Sequence, residues 1–298
     1  MLIQRECLNE ESDFDLEFEL PISIEIEVTD KCNFNCSFCY NNSKNIRAFD
    51  DEDIFNKWFP FFDLVIKSGG VFQIIISGGE PLIYKEDIYK ILKLFSCDKT
   101  GLLLITNGYL LDEKFITNIK NMPWYWVQVS LDSYKKEVHD NLRGQIGAYD
   151  KVIKNVKLLK KYNIPVALSS VVTSNEVDNI ENFILLALNL QVDAVLFSEI
   201  MPVGRARNIK KKGFDYEERK RYNENIRLCK EKYGNKILIQ SASPYDKQIS
   251  DMSKYIPLGF LVRPNGDVKL NCLTDDVIGN IFQENYLDVW KRICKEVE

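Results

Sequence analysis

From about residue 22 to residue 200, apolar β-branched runs alternate with stretches of helical periodicity. ISIEIEV (22–28) alternates at period two and predicts a strand. VFQIIIS (71–77), GLLLIT (101–106), YWVQVS (125–130), VALSSVV (166–172) and DAVLFS (193–198) predict five more. Between them the spacing predicts helices over about 50–67, 86–96, 112–120, 148–162 and 176–190. Asp50-Asp51-Glu52-Asp53 opens the first with charge that suits a helix N-terminus, and Gly69-Gly70 stop it. Val152, Val156 and Leu159 share one face of the fourth. Such alternation predicts a parallel sheet with right-handed crossovers. Six β/α units are too few to close an eight-stranded barrel. An open partial barrel and a doubly wound sheet both fit, and periodicity does not choose between them.

Beyond residue 200 the pattern loosens. GRARNIKKKG (204–213) is basic and flanked by glycine, as in a linker or surface loop. A helix is predicted over 215–233, a short strand over 236–241 and a closing helix over 286–297. FLVRPNGDVKLN (260–271) predicts a hairpin turning at Asn265-Gly266. The expected organisation is an N-terminal segment (1–20), an α/β unit (21–205) and a small C-terminal α+β extension (206–298).

A 298-residue chain with 45% apolar residues can build a sizeable core. Its net charge of −5 argues against broad binding of nucleic acid or anionic membrane. No stretch resembles a signal peptide or reaches the roughly 20 apolar residues of a membrane span, so a cytoplasmic protein is expected. In that reducing compartment its eight cysteines do not suggest a disulfide framework. Five stand alone, at 7, 97, 229, 272 and 294, and read as small buried apolar residues.

The other three cluster in VTDKCNFNCSFCYNNS (28–43), directly after the first predicted strand. Cys32, Cys36 and Cys39 are spaced so that one short loop can bring three thiolates onto an iron–sulfur cluster. Three ligands on four irons leave one iron open to a molecule carrying both an amine and a carboxylate. Structural zinc is the alternative, but it wants four ligands, and the chain has one histidine, His139, and no second cysteine pair. Further polar motifs close later strands: Ser77-Gly78-Gly79-Glu80-Pro81, Thr106-Asn107-Gly108 and Ser130-Leu131-Asp132. His139-Asp140-Asn141-Leu142-Arg143-Gly144 follows, and Glu199 to Ala206 closes the sixth strand. Alone, each could be a turn or a helix N-cap. Together they lie at the carboxyl ends of successive parallel strands, where α/β folds gather ligand sites.

The CxxxCxxC run and these companions resemble the radical S-adenosylmethionine (SAM) superfamily over roughly residues 20–205. The resemblance implies a partial (β/α)6 TIM-like barrel with one 4Fe–4S cluster on Cys32, Cys36 and Cys39. It implies reductive cleavage of SAM to a 5′-deoxyadenosyl radical that abstracts hydrogen from a substrate. Phe38 would pack near the adenine, and Gly78, Gly79 and Glu80 would hold the methionine amine. Asn107, Ser130 and Asp132 would meet ribose or carboxylate, Arg143 would pair with the SAM carboxylate, and backbone at Met201 would border the adenine. Arg205 would face substrate, and His139 is expected to be structural.

Residues 258–293 are similar to the SPASM or twitch extension of peptide-modifying members, but with only Cys272 near its expected place. No auxiliary cluster is therefore expected. The implied partners are a ribosomally made precursor peptide and a flavodoxin- or ferredoxin-type electron donor, with a separate peptide-recognition protein as a possible third. A small-molecule radical SAM enzyme is the alternative, and a non-catalytic metal-stabilised binding module is the reading from another class. Molybdenum-cofactor cyclases share VTDxCNxxC, but their second cysteine set and Gly-Gly tail are missing here.

Overall fold

A computed structural model describes residues 2–4, 18–45, 52–96, 100–209, 213–242, 255–272 and 275–296. Asp50, Asp51, Cys7, Cys97 and most of the expected N-terminal segment lie outside these residues.

The predicted strands form at Ser23–Glu27 (β1), Gln73–Ser77 (β2), Gly101–Thr106 (β3), Trp124–Ser130 (β4), Val166–Val172 (β5) and Ala194–Glu199 (β6). Leu238–Ala242 (β7), Gly259–Val262 (β8), Asp267–Lys269 (β9) and Gly279–Asn280 (β10) join the same sheet. Its order is β7-β6-β5-β4-β3-β2-β1-β8-β9-β10. Every pairing from β7 to β8 is parallel, while β9 and β10 add antiparallel.

This order resolves the choice that periodicity left open. A doubly wound sheet reverses its strand order at a switch point. Here β1 to β7 follow one another without reversal, and right-handed crossovers then place their helices on one face. The eighth parallel strand pairs with β1, which is the cyclic order of a (β/α)8 barrel left open between β7 and β8. Six parallel strands were expected and eight are present. The two extra strands come from beyond residue 205, where the β/α alternation had become irregular.

The helices are Ile54–Lys67 (α1), Lys85–Phe95 (α2), Glu113–Ile119 (α3), Lys136–Arg143 (α4), Ala148–Lys161 (α5), Ile180–Asn189 (α6), Tyr216–Tyr233 (α7) and Tyr286–Glu296 (α8). Strand alternation sorts the two faces. Ile24 and Ile26 of β1 are fully buried in the core with Trp58 and Phe62 of α1. Glu25, between them, points to the opposite side. Trp58 anchors α1 further by donating its indole N–H to the Val28 carbonyl at 3.3 Å.

Hydrophobic pattern did not reveal α4. Its buried side chains are His139, Asp140 and Arg143, so the inward face is polar and the apolar period is missing. Asp140 accepts the backbone N–H groups of Gly147 and Tyr149 at 2.7 and 2.8 Å, which fastens the start of α5. Among the described residues no helix is long and apolar enough to cross a membrane.

Candidate active site

The loop after β1 that carries the cysteines is tied to four other parts of the chain. Gly79 and Glu80 donate backbone N–H groups to the carbonyls of Thr29 and Lys31, at 2.7 and 2.8 Å. Asn107 donates its side-chain amide to Asn33 Oδ1 at 2.8 Å. Asn35 and Ser37 donate backbone N–H groups to the carbonyls of Arg143 and Leu142, at the end of α4. Arg205 donates its backbone N–H to the Cys39 carbonyl at 2.9 Å, Nε to the Cys36 carbonyl at 2.9 Å and Nη1 to the Ser43 carbonyl at 2.7 Å. Arg205 thus clamps the cysteine loop with its polar atoms, and it also borders the cavity, the side on which substrate was expected. Gly204 lets it approach: a Cβ there would lie 2.1 Å from the Tyr40 carbonyl oxygen.

Held this way, Cys32, Cys36 and Cys39 all line one cavity of about 370 Å³. Cys32 and Cys36 are buried and Cys39 is half-buried. The Phe34 N–H donates to Cys32 Sγ at 3.4 Å, and Arg143 Nη1 donates to Cys36 Sγ at 3.8 Å. Burial pushes the Cys32 thiol up to about 12, and the Glu80 carboxylate adds to the shift. Burial also raises Cys36, and Arg143 partly opposes it. Such thiols stay protonated in a bare cavity and ionise on binding a metal. Among the described residues no group of three or more His, Cys, Asp or Glu is arranged to hold a single metal ion. Three thiols bordering one cavity, with protein N–H donors on two of them, suit a multi-iron cluster.

The other candidate residues divide into wall and support. Phe38, Gly78, Gly79, Asn107, Ser130, Arg143 and Met201 line the cavity. Glu80 and Asp132 do not. Glu80 is fully buried and accepts from Thr106 Oγ1 and the Asn107 N–H, both at 2.7 Å, and from the Leu82 N–H at 3.1 Å. Burial pushes its carboxyl up to about 7 against the pull of those donors. Glu80 therefore joins the ends of β2 and β3. Glu80→Gln places an amide N–H₂ against a donor, and about 1–3 kcal/mol of stability should be lost, measured by urea unfolding.

Asp132 grips Arg143 Nε and Nη2, the latter at 2.8 Å, and its Oδ1 also accepts the Val171 N–H at 3.1 Å. Both oxygens that the sequence offered to ribose hydroxyls are thereby engaged within the protein. His139 is fully buried, and its Nδ1 accepts the Asp132 N–H at 3.2 Å. Burial lowers its pKa to about 4, so the ring is neutral and serves to hold the turn after β4.

Several wall residues escaped the sequence reading. Glu25, Gln128, Ser169 and Ser198 sit on β1, β4, β5 and β6 and line the cavity, as does Tyr40; Glu199 and Cys272, both singled out in the sequence, line it too. The available signal was a polar residue recurring inside otherwise apolar strands, as in ISIEIEV and YWVQVS. Glu25 accepts from Ser77 Oγ at 2.8 Å. Glu27 accepts from the Tyr40 hydroxyl at 2.9 Å and pairs with Arg263 of the β8–β9 turn at 2.7 Å. Cys229 is buried within α7 and Cys294 is half-buried on α8.

An open parallel barrel with three thiols at the carboxyl ends of its strands defines a class of cluster-dependent α/β proteins. Comparison with known proteins makes the class specific. Residues 26–187, more than half of the chain, match the radical SAM superfamily, and the chain belongs to it. Members carry a 4Fe–4S cluster and use SAM.

The chain is 25% identical over 279 residues to sporulation killing factor maturation protein SkfB of Bacillus subtilis, covering 92% of this chain and 66% of that protein. It is 29% identical over 186 residues to the AdoMet-dependent heme synthase of Methanosarcina barkeri, covering 62% of this chain and 52% of that one. It thus spans less than two thirds of the length of these relatives. The solved structure of Streptococcus suis SuiB bound to precursor peptide SuiA superposes with a TM-score of 0.73 at 18% identity, covering 92% of this chain and 65% of SuiB.

Proposed function

We propose that the protein is a radical SAM enzyme that modifies a ribosomally synthesised precursor peptide. The observation that carries the chemistry is the convergence of Cys32, Cys36, Cys39 and the Gly78-Gly79 turn on one cavity. A 4Fe–4S cluster on those cysteines, given an electron, would supply reductive cleavage of SAM to methionine and a 5′-deoxyadenosyl radical. The chain's own residues hold and shield the reactants. Gly78 and Gly79 leave room for close backbone approach, and Phe38 offers an aromatic wall. Ser130, Ser169, Ser198, Gln128 and Glu25 present polar groups to the remaining space. The barrel keeps bulk water from a radical formed inside it.

The peptide substrate is supported by SkfB, named as a maturation protein, and by SuiB, solved with a precursor peptide. A second reading, a small-molecule substrate, is favoured by the similarity to a heme synthase. A flavodoxin- or ferredoxin-type donor would supply the electron, and a separate recognition protein could present the peptide.

Anaerobic reconstitution with iron and sulfide should give a brown protein with about four irons per chain. Addition of dithionite and SAM should then release 5′-deoxyadenosine. Iron uptake without any deoxyadenosine would refute the activity, whereas one zinc per colourless chain would favour a binding module. Mass change in a co-expressed short peptide from a neighbouring reading frame separates the two substrate classes.

A further inference from the structure

Arg143 is the one guanidinium that meets a cysteine sulfur in this cavity wall among the described residues, and its contacts hold it in one orientation. Its Nε and Nη2 form a fork against Asp132. Asp132 is itself held by the N–H of Val171 and by the contact of its own N–H with His139. The guanidinium carbon lies 5.3 Å from the centre of the Phe38 ring. Arg143 closes α4, and its backbone carbonyl accepts the Asn35 N–H from the cysteine loop. These restraints leave Nη1, on the far side of the fork, directed at Cys36 Sγ at 3.8 Å.

We propose that Arg143 tunes the reduction potential of the cluster held by Cys32, Cys36 and Cys39, by donating a hydrogen bond from Nη1 to the Cys36 thiolate. The inference rests on the cluster reading above and adds a role for this residue within it. Reduction adds one negative charge, shared between iron and sulfur. An N–H donor on a ligating sulfur stabilises the reduced state more than the oxidised one, so it raises the potential. The site is buried, which strengthens the interaction. Asp132 and Arg143 together carry no net charge, so the effect comes from direction. The cation faces the sulfur, and the carboxylate sits behind it.

The role first suggested for Arg143, a bidentate partner for the SAM carboxylate, makes a different prediction. That role would lower SAM affinity on substitution and leave the potential of the SAM-free protein unchanged.

The test is EPR-monitored redox potentiometry of the reconstituted full-length protein without SAM. Asp132→Asn combined with Arg143→Met removes the pair at constant net charge, and the amide oxygen that replaces the carboxylate can still accept the Val171 N–H. This variant should lower the reduction equilibrium constant at least about tenfold, which is 59 mV for one electron. Arg143→Lys keeps the charge and loses the fork, and should fall between it and the native protein. A double variant that assembles its cluster and shifts the constant by less than about threefold overturns the proposal.

Should neither variant take up iron, pulsed EPR of the reduced native protein carrying ¹⁵N-labelled arginine decides. A guanidinium nitrogen coupling supports the contact, and its absence overturns it. A native protein that takes up no iron overturns the underlying cluster reading itself, and this inference with it.

Discussion

Cys36→Ala should leave a folded protein that forms 5′-deoxyadenosine at least about a hundredfold more slowly, a loss of about 2.7 kcal/mol or more in transition-state stabilisation. Two thiols cannot keep four irons in place at the strand ends. Cys229 is buried in α7, Cys294 lies on α8, and Cys272 borders the cavity from the C-terminal hairpin. The substitution removes one buried sulfur and the Arg143 Nη1 contact to it, and it leaves the straps on the loop, which use backbone groups and the Asn33, Asn107 and Arg205 side chains but not the Cys36 side chain. Urea unfolding of the iron-free protein should therefore change by no more than about 1–2 kcal/mol. Cys229→Ala provides the comparison. It should show a similar change in stability and retain iron and SAM cleavage. Iron analysis and deoxyadenosine release measure both, and full cleavage by Cys36→Ala would dismantle the proposed centre.

Gly79→Ala should destabilise the iron-free protein by roughly 3 kcal/mol or more and prevent the cysteine loop from seating. A Cβ at Gly79 would lie 2.1 Å from the Lys31 carbonyl oxygen and 2.6 Å from its carbon, and both are backbone atoms. That carbonyl also accepts the Glu80 N–H at 2.8 Å, so moving it breaks the bond that sets the loop against β2. No flexible side chain can yield instead. Gly147 makes an instructive contrast. Its φ is +79°, yet a Cβ there would meet nothing within 4 Å. Gly147→Ala should cost only the backbone term, about 1–2 kcal/mol, and keep its iron. Urea midpoints and iron content of the two variants should separate steric exclusion at the site from turn strain beside it. Equal losses would show that the close approach at Gly79 is not what seats the loop.

The supports of the cysteine loop explain how a buried polar site is kept in one arrangement. Asp132, His139, Arg143, Asn107 and Glu80 are all buried. Each has a partner on another element: Asp132 with Arg143, Val171 and His139, Asn107 with Asn33, and Glu80 with Thr106 and Asn107. A buried polar group without such a partner costs more than the bond gains, so alternative arrangements are disfavoured. The network reaches the C-terminal strands as well, since Glu27 joins Tyr40 of the cysteine loop to Arg263 between β8 and β9.

Local signals in the chain were sufficient for the six central strands, their helices and the three cysteines, because period-two and period-3.6 burial and short loop spacings act over a few residues. The same reading placed part of the wall, including Gly78, Gly79, Asn107 and Ser130. It missed α4, whose buried face is polar, and it did not show that Leu238–Ala242 and Gly259–Val262 belong to the main sheet. Strand partners far apart in sequence leave no periodic trace. Tertiary structure alone decided that Asp132 turns to Arg143, that Arg143 reaches Cys36, and that Arg205 clamps the loop. Those assignments follow from which desolvated donor finds which acceptor across 11, 107 and 169 residues of separation, and only the closed-up fold brings them within hydrogen-bonding distance.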